Sequence, residues 1–232
     1  MLETLLNYDV QLFLKLNGMH SPWWDTVMLF FTRKETWLPF YVALLAVVLR
    51  TYRQRSWIIL LFMVLGLVAG EQLSVLLKVT VQRLRPGHDP VIAQFAHIVL
   101  KKGGMYAFVS SHATNAIYIL TFTIFLFRNR AVALTFLGWA VLVSYSRIYV
   151  GAHYPLDLLG GWILGGTTGY LFYKLLILVD NRFISHHSDS RILEFQITRQ
   201  SATLLFLVFA TVVTTLFLVV YILHKYNLVR IF

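Results

Sequence analysis

At 232 residues, the chain is 58% hydrophobic and only 13% charged, a composition that excludes an ordinary water-soluble domain. A net charge of +10 in a soluble protein would point toward nucleic acid; with this apolar content it points to anionic lipid instead. Cysteine is absent, so disulfides and thiolate metal sites are excluded.

In chain order, the first twenty residues carry Glu3, Asp9 and Lys15 within an apolar pattern, which predicts a short amphipathic helix rather than a cleavable signal peptide. Trp23 to Phe31 is apolar but is cut off by Arg33, Lys34 and Glu35, and reads as an interfacial or re-entrant piece. Thr36 to Leu49 supplies the first and shortest span. Trp57 to Leu77, with Glu71 as its one charge, and Ser201 to Leu223, with none, are each long enough to cross about 30 Å of hydrocarbon. Between them, Ser111–Phe127, Ala131–Ser146 and Leu156–Val179 are separated by short segments bearing Arg, Gly or Pro. The expectation is an all-α polytopic membrane bundle of about six transmembrane helices after the amphipathic helix. It forms one domain over residues 1–232, with a motif core at 78–157 and an extra C-terminal span at 201–223.

Two polar segments interrupt the spans. Gln82 to Gly104 contains Pro86, Gly87, Pro90, Gly103 and Gly104 and reads as a structured extramembrane loop. Asn181 to Gln200 includes His186 and His187, whose adjacency makes a solvated face the better reading than a metal site. The clusters Arg50/Arg53/Arg55, Arg128/Arg130 and Arg182/Arg191/Arg199 fall on one side if six spans alternate, and the positive-inside rule makes that side cytoplasmic. Gly160, Gly161, Gly165, Gly166 and Gly169 recur at helix-packing spacing rather than as a phosphate loop. Trp23, Trp24, Trp37 and Trp57 are expected at the membrane interface. Glu71 is expected either to pair with a neighbouring span or to line a cavity.

Polar residues at span ends carry the functional signal, because they are costly at membrane depth unless paired or facing a cavity. Lys78 precedes Arg85-Pro86 by seven positions, about two helical turns, so both cations could share a face before the proline ends the helix. Val109-Ser110-Ser111-His112 opens the third span, where free backbone N–H groups can bind an anion. Ser146-Arg147 is followed by His153 and then Asp157. With Pro155 in the first helical turn, His153 falls at the start of the fifth span and Asp157 within a turn of it. A carboxylate there can accept the imidazole N–H and leave the other ring nitrogen free to attack. Jointly, cations, a hydroxyl pair, two histidines and a carboxylate at one face describe a pocket for pentacoordinate phosphate.

These motifs resemble those of the type 2 phosphatidic acid phosphatase superfamily. Its first signature, Lys, six residues, Arg-Pro, is met by Lys78, Arg85 and Pro86. Its third, Ser-Arg, five residues, His, three residues, Asp, is met by Ser146, Arg147, His153 and Asp157. The second, Pro-Ser-Gly-His, keeps Ser110 and His112, with Val109 and Ser111 in place of proline and glycine. The resemblance implies that His153 forms a phosphohistidine, that Asp157 orients it, and that His112 protonates the leaving group. It implies that Lys78, Arg85, Ser110 and Arg147 hold phosphoryl oxygens, with the Ser111 N–H also available. No metal or cofactor is implied.

The expected function is hydrolysis of a phosphomonoester or diphosphate on a long-chain membrane lipid, with undecaprenyl diphosphate, phosphatidylglycerol phosphate, phosphatidic acid and lipid A phosphate as candidates. His88, His97, Lys101 and Lys102 are expected headgroup contacts. Transfer of phosphate to a second lipid is one alternative. A lipid transporter or inactive scaffold is another, against which the intact His112, His153 and Asp157 argue. The partners are lipid and bilayer rather than nucleic acid, and the setting expected is a bacterial inner membrane with the site on its outer face.

Overall fold

The computed structural model describes residues 2–100, 103–184 and 191–228; Lys101, Lys102, His186 and His187 lie outside them. The helices are α1 (Leu2–Asn17), α2 (Pro22–Thr32), α3 (Leu38–Tyr52), α4 (Ser56–Val81), α5 (Ser111–Phe127), α6 (Arg130–Tyr149), α7 (Pro155–Val179) and α8 (Arg199–Lys225). Segments 34–81, 130–149, 155–183 and 199–225 are long and apolar enough to cross a membrane, and Ser111–Phe127 is a shorter apolar helix. The first of these segments is a hairpin. Arg53, at φ 48°, breaks the helix between α3 and α4, and Leu44 and Leu45 of α3 line the same cavity as Leu60 and Met63 of α4.

At the centre, α5 lies against α7, and the α7 glycines explain why they pack so closely. A Cβ on Gly161 would meet the Ser110 carbonyl at 2.8 Å, and one on Gly169 would meet the Tyr118 carbonyl at 2.9 Å. Gly165 faces Thr114 in the same way, so only hydrogen at these positions lets the backbones approach. Gly166 has nothing closer than Ile117 at 3.9 Å and is not part of this seam. Around the pair stand α4 and α6, with α3 and α8 outside them.

The N-terminal helices cap one end of this bundle. In α1, Asp9, Phe13 and Asn17 recur every four residues and turn inward, while Leu5, Tyr8 and Leu12 stay exposed. Asn17 Nδ2 donates to the carbonyls of Ile148 (3.1 Å) and Tyr149 (2.8 Å), pinning α1 to the end of α6. The segment expected to be interfacial or re-entrant is α2, an 11-residue helix whose N-cap Ser21 accepts from the Trp24 N–H. One aromatic expectation is corrected. Trp37 is 1% exposed, with its Nε1–H on the Phe31 carbonyl (3.0 Å) and its ring stacked on Phe31 and Phe209, because the short helical turn at 34–37 rotates it into the core. Trp24 and Trp57 remain exposed.

Candidate active site

The three motif segments meet at the end of the bundle covered by α1 and α2. Lys78 lies in the last turn of α4 and donates from Nζ to Ser111 Oγ at 2.7 Å. Serine in place of the expected glycine therefore supplies a hydroxyl that positions the lysine. Arg85 arrives differently from the two-turn expectation. The helix ends at Val81 because Gln82 adopts a left-handed conformation (φ 53°), and Arg85 sits on an extended segment. Its N–H bonds the Met105 carbonyl (3.0 Å) and its Nε bonds the Tyr106 carbonyl (3.1 Å).

Ser110 is the N-cap residue of α5, fully buried, and its hydroxyl has no hydrogen-bond partner. A buried hydroxyl without a partner is unusual, and at a helix N-terminus it suits an anionic oxygen. Arg147, 4% exposed near the end of α6, donates to Thr32 Oγ1 of α2. Its Nε is likewise without a partner.

His153 lies between α6 and α7, 1% exposed, with Nδ1 3.6 Å from Asp157 Oδ2. That is longer than a hydrogen bond, and Nδ1 is left without one. Asp157 occupies the first turn of α7, where Oδ2 accepts the Tyr154 N–H at 2.8 Å. Burial foremost, then the charges of Arg147, Arg85 and Lys78, holds the His153 ring well below the ordinary imidazole value; the Ala107 carbonyl opposes them.

Residues that no motif announced complete the site. Arg83 bridges Asp157 Oδ1 (3.0 Å) and Asp9 Oδ2 (2.6 Å), and its guanidinium lies 4.1 Å over the Tyr154 ring. Asp9, from α1, also accepts the Leu156 N–H at 2.8 Å. Two carboxylates thus take N–H groups from the start of α7 and share one arginine. Thr32, which meets Arg147, is the third such residue.

Lys78, Arg85, Ser111, His112, Arg147 and His153 line one end of a cavity of about 940 Å³. The remainder is mostly apolar and runs down the groove between α3 and α4 as far as Leu45 and Leu60. From Lys78 to Leu60 is about 27 Å along α4, close to the thickness of the hydrocarbon layer. Glu71 satisfies both expectations, since it accepts from Asn115 Nδ2 (3.0 Å) and lines the cavity.

His88 and His97 do not line it. His88 meets the Gly103 carbonyl (3.1 Å), and His97 pairs with Asp25 (2.8 Å) and stacks on His20. His20, Asp25 and His97 could in principle hold a metal, their ligand atoms lying within 4.8 Å of one another. The imidazoles, however, stack with planes 4° apart, so their lone pairs lie side by side rather than converging. Asp25 also accepts from Tyr149 (2.8 Å), so the group is a hydrogen-bonded anchor for the 82–104 loop.

The chain is similar to known proteins in sequence and fold. Residues 55–178, more than half of the chain, match the PAP2 superfamily model. A lipid A 4′-phosphatase of Bacteroides thetaiotaomicron is 37% identical over 199 residues, 83% of each chain. An undecaprenyl-diphosphatase of Sulfolobus acidocaldarius is 30% identical, covering 75% of this chain and 81% of its own. The crystal structure of a transmembrane PAP2-type phosphatidylglycerolphosphate phosphatase from Bacillus subtilis superposes with a TM-score of 0.61 at 25% identity, over 78% of this chain and 89% of that one. Motifs, fold and relatives agree: the chain belongs to the PAP2 superfamily and is a membrane lipid phosphatase.

Proposed function

We propose that this enzyme removes a phosphate group from lipid A or a closely similar acylated amino sugar, at the outer face of a bacterial inner membrane. The single observation that carries the reading is the cavity, cationic at one end and apolar along the α3–α4 groove. Phosphate binds at the first and acyl chains lie along the second. The relative named for lipid A phosphate removal, at 37% identity over most of both chains, favours this lipid among the candidates. The arginine clusters at the opposite end of the bundle support an outer-side site by the positive-inside rule. We read residues 1–232 as one membrane domain.

In the first step His153 Nε2 attacks phosphorus, the phosphorus–oxygen ester bond breaks, and His112 gives its proton to the departing oxygen. Lys78, Arg85, Arg147, the Ser110 hydroxyl and the N–H groups opening α5 offset charge on the equatorial oxygens. The Nδ1–H of His153 closes its 3.6 Å gap to Asp157 as positive charge develops on the ring. Water then attacks the phosphohistidine, His112 takes its proton, and inorganic phosphate leaves with His153 restored.

The test is phosphate release from lipid A, undecaprenyl diphosphate, phosphatidylglycerol phosphate and phosphatidic acid in detergent with chelator, comparing wild type with His153→Ala. Chelator-resistant release, greatest on lipid A and lost in the variant, is expected. Equal release by the variant would remove His153 as nucleophile, and a different lipid ranking first would replace the substrate.

A further inference from the structure

Glu71 is a carboxylate in the middle of a membrane-spanning helix, and the reaction above gives it nothing to do. Ionisable groups at such depth persist where they are paired or face a polar ligand. Its protein partner is Asn115, whose Nδ2 reaches Oε2 at 3.0 Å; the rest of the carboxylate borders the cavity. Asn115 Oδ1 is buried without a partner beside it. With Nδ2 turned to Glu71 and Oδ1 enclosed beside Gly70, the pair presents the Glu71 carboxylate to whatever lies in the cavity.

Its position fixes which part of a substrate it meets. Glu71 lies seven residues before Lys78, about 10 Å further along the groove from the phosphate end. A carboxylate would repel phosphate, so the group it meets is the junction between headgroup and hydrocarbon. The candidate lipids differ there. A polyprenyl chain offers neither donor nor acceptor. A diacylglycerol offers ester carbonyls, which are acceptors and face the carboxylate unfavourably. An N-acylated amino sugar with hydroxylated acyl chains offers amide N–H and hydroxyl donors.

We propose that Glu71, held by Asn115, is a specificity subsite that accepts a hydrogen bond from the amide or hydroxyl donors of an acylated amino sugar. This rests on the substrate class given above, and the two fail in distinguishable ways. The full chain in detergent micelles is assayed on a hydroxyacylated, N-acylated glucosamine phosphate. Its counterpart with ester links and unhydroxylated chains, and undecaprenyl diphosphate, are run beside it.

Glu71→Gln, which keeps the shape, is expected to lower kcat/KM on the donor-bearing lipid by about tenfold or more, mainly through KM. Its preference for that lipid over the ester counterpart then collapses toward parity. Glu71→Ala, run with thermal unfolding in the same detergent, is expected to give the same loss of preference. Equal loss on every lipid would overturn the subsite and make Glu71 a support for Lys78 or for the fold; no loss would overturn it as well. If wild type hydrolyses undecaprenyl diphosphate but neither sugar, with turnover lost in His153→Ala, the substrate reading falls and the subsite with it, while the nucleophile stands.

Discussion

Two arginine–carboxylate clusters with buried carboxylates tie the ends of α4 to α7, one at each end of the bundle, and they serve different ends. At the end away from the site, Arg55 meets Asp180 at 2.5 Å, and the second Asp180 oxygen takes the Ile192 N–H at 2.9 Å. These contacts fix where the α3–α4 turn and the chain after α7 sit. At the catalytic end, Arg83 holds both Asp9 and Asp157, and Asp157 in turn faces the ring of His153. A buried carboxylate and an ion pair are common to both clusters. What separates them is the neighbour: backbone in one case, a titratable ring bordering the cavity in the other.

Substitutions sharpen that contrast. Asp157→Asn should lower kcat by about 10³-fold or more, because the ring loses its orienting anion while the fold keeps its N–H acceptor. Stopped assays together with unfolding in the same detergent would show catalysis falling and stability holding. The opposite cluster should behave in reverse. Arg55→Ala leaves Asp180 buried with a partner lost and should cost about 3–5 kcal/mol of stability, with kcat per folded molecule unchanged. A large drop in kcat there would break the distinction.

Asp9→Asn is the intermediate case, expected to lower kcat by about tenfold with KM unchanged. Without that carboxylate the Arg83 charge falls wholly on Asp157 and weakens its hold on the His153 cation. Burial raises the Asp9 carboxyl, while Arg83 and the Leu156 N–H hold it down. Asp9→Glu should restore part of the rate if charge is what matters.

The smallest effect concerns pH. The attacking ring must be neutral, and His153 is held well below 6.5, so the acid limb of kcat/KM should lie below that value rather than at it. Arg85→Gln removes one of the cations that disfavour the protonated ring. The His153 value then rises, and the limb should move toward higher pH by less than about one unit. A limb that stays in place in the variant would show that burial, with Arg147 and Lys78, sets it without Arg85.

The motifs were legible because each is local: a histidine, a proline and an aspartate within five positions specify a helix start and an oriented ring. Span existence followed from hydropathy for the same reason. Asp9, Arg83 and Thr32 carried no such pattern. They act over 74 to 147 positions of separation, and Asp9 in an amphipathic helix looks like any solvated acid until α1 is folded onto α7. Arg85 shows a subtler failure. Its spacing from Lys78 fits helical periodicity, whereas a left-handed Gln82 and a bridge between Leu84 and Tyr106 deliver it to the same cavity. Residue type alone puts Trp37 at the interface, and a short turn reverses its facing.

The dependence of the catalytic end on α1 also bears on how the molecule can be cut or fused. The segment matching the superfamily model begins at residue 55 and holds every motif residue, yet Asp9, Asn17 and Thr32 lie before it. A minimal enzyme trimmed to that segment would keep the proposed nucleophile and lose the anion behind Arg83, the clamp on the end of α6 and the hydroxyl on Arg147. A fusion partner placed after α8 falls beside α2 as well, where His224 meets Thr26 at 3.1 Å. The reaction centre is not a portable cassette but a property of both ends of the chain folded together.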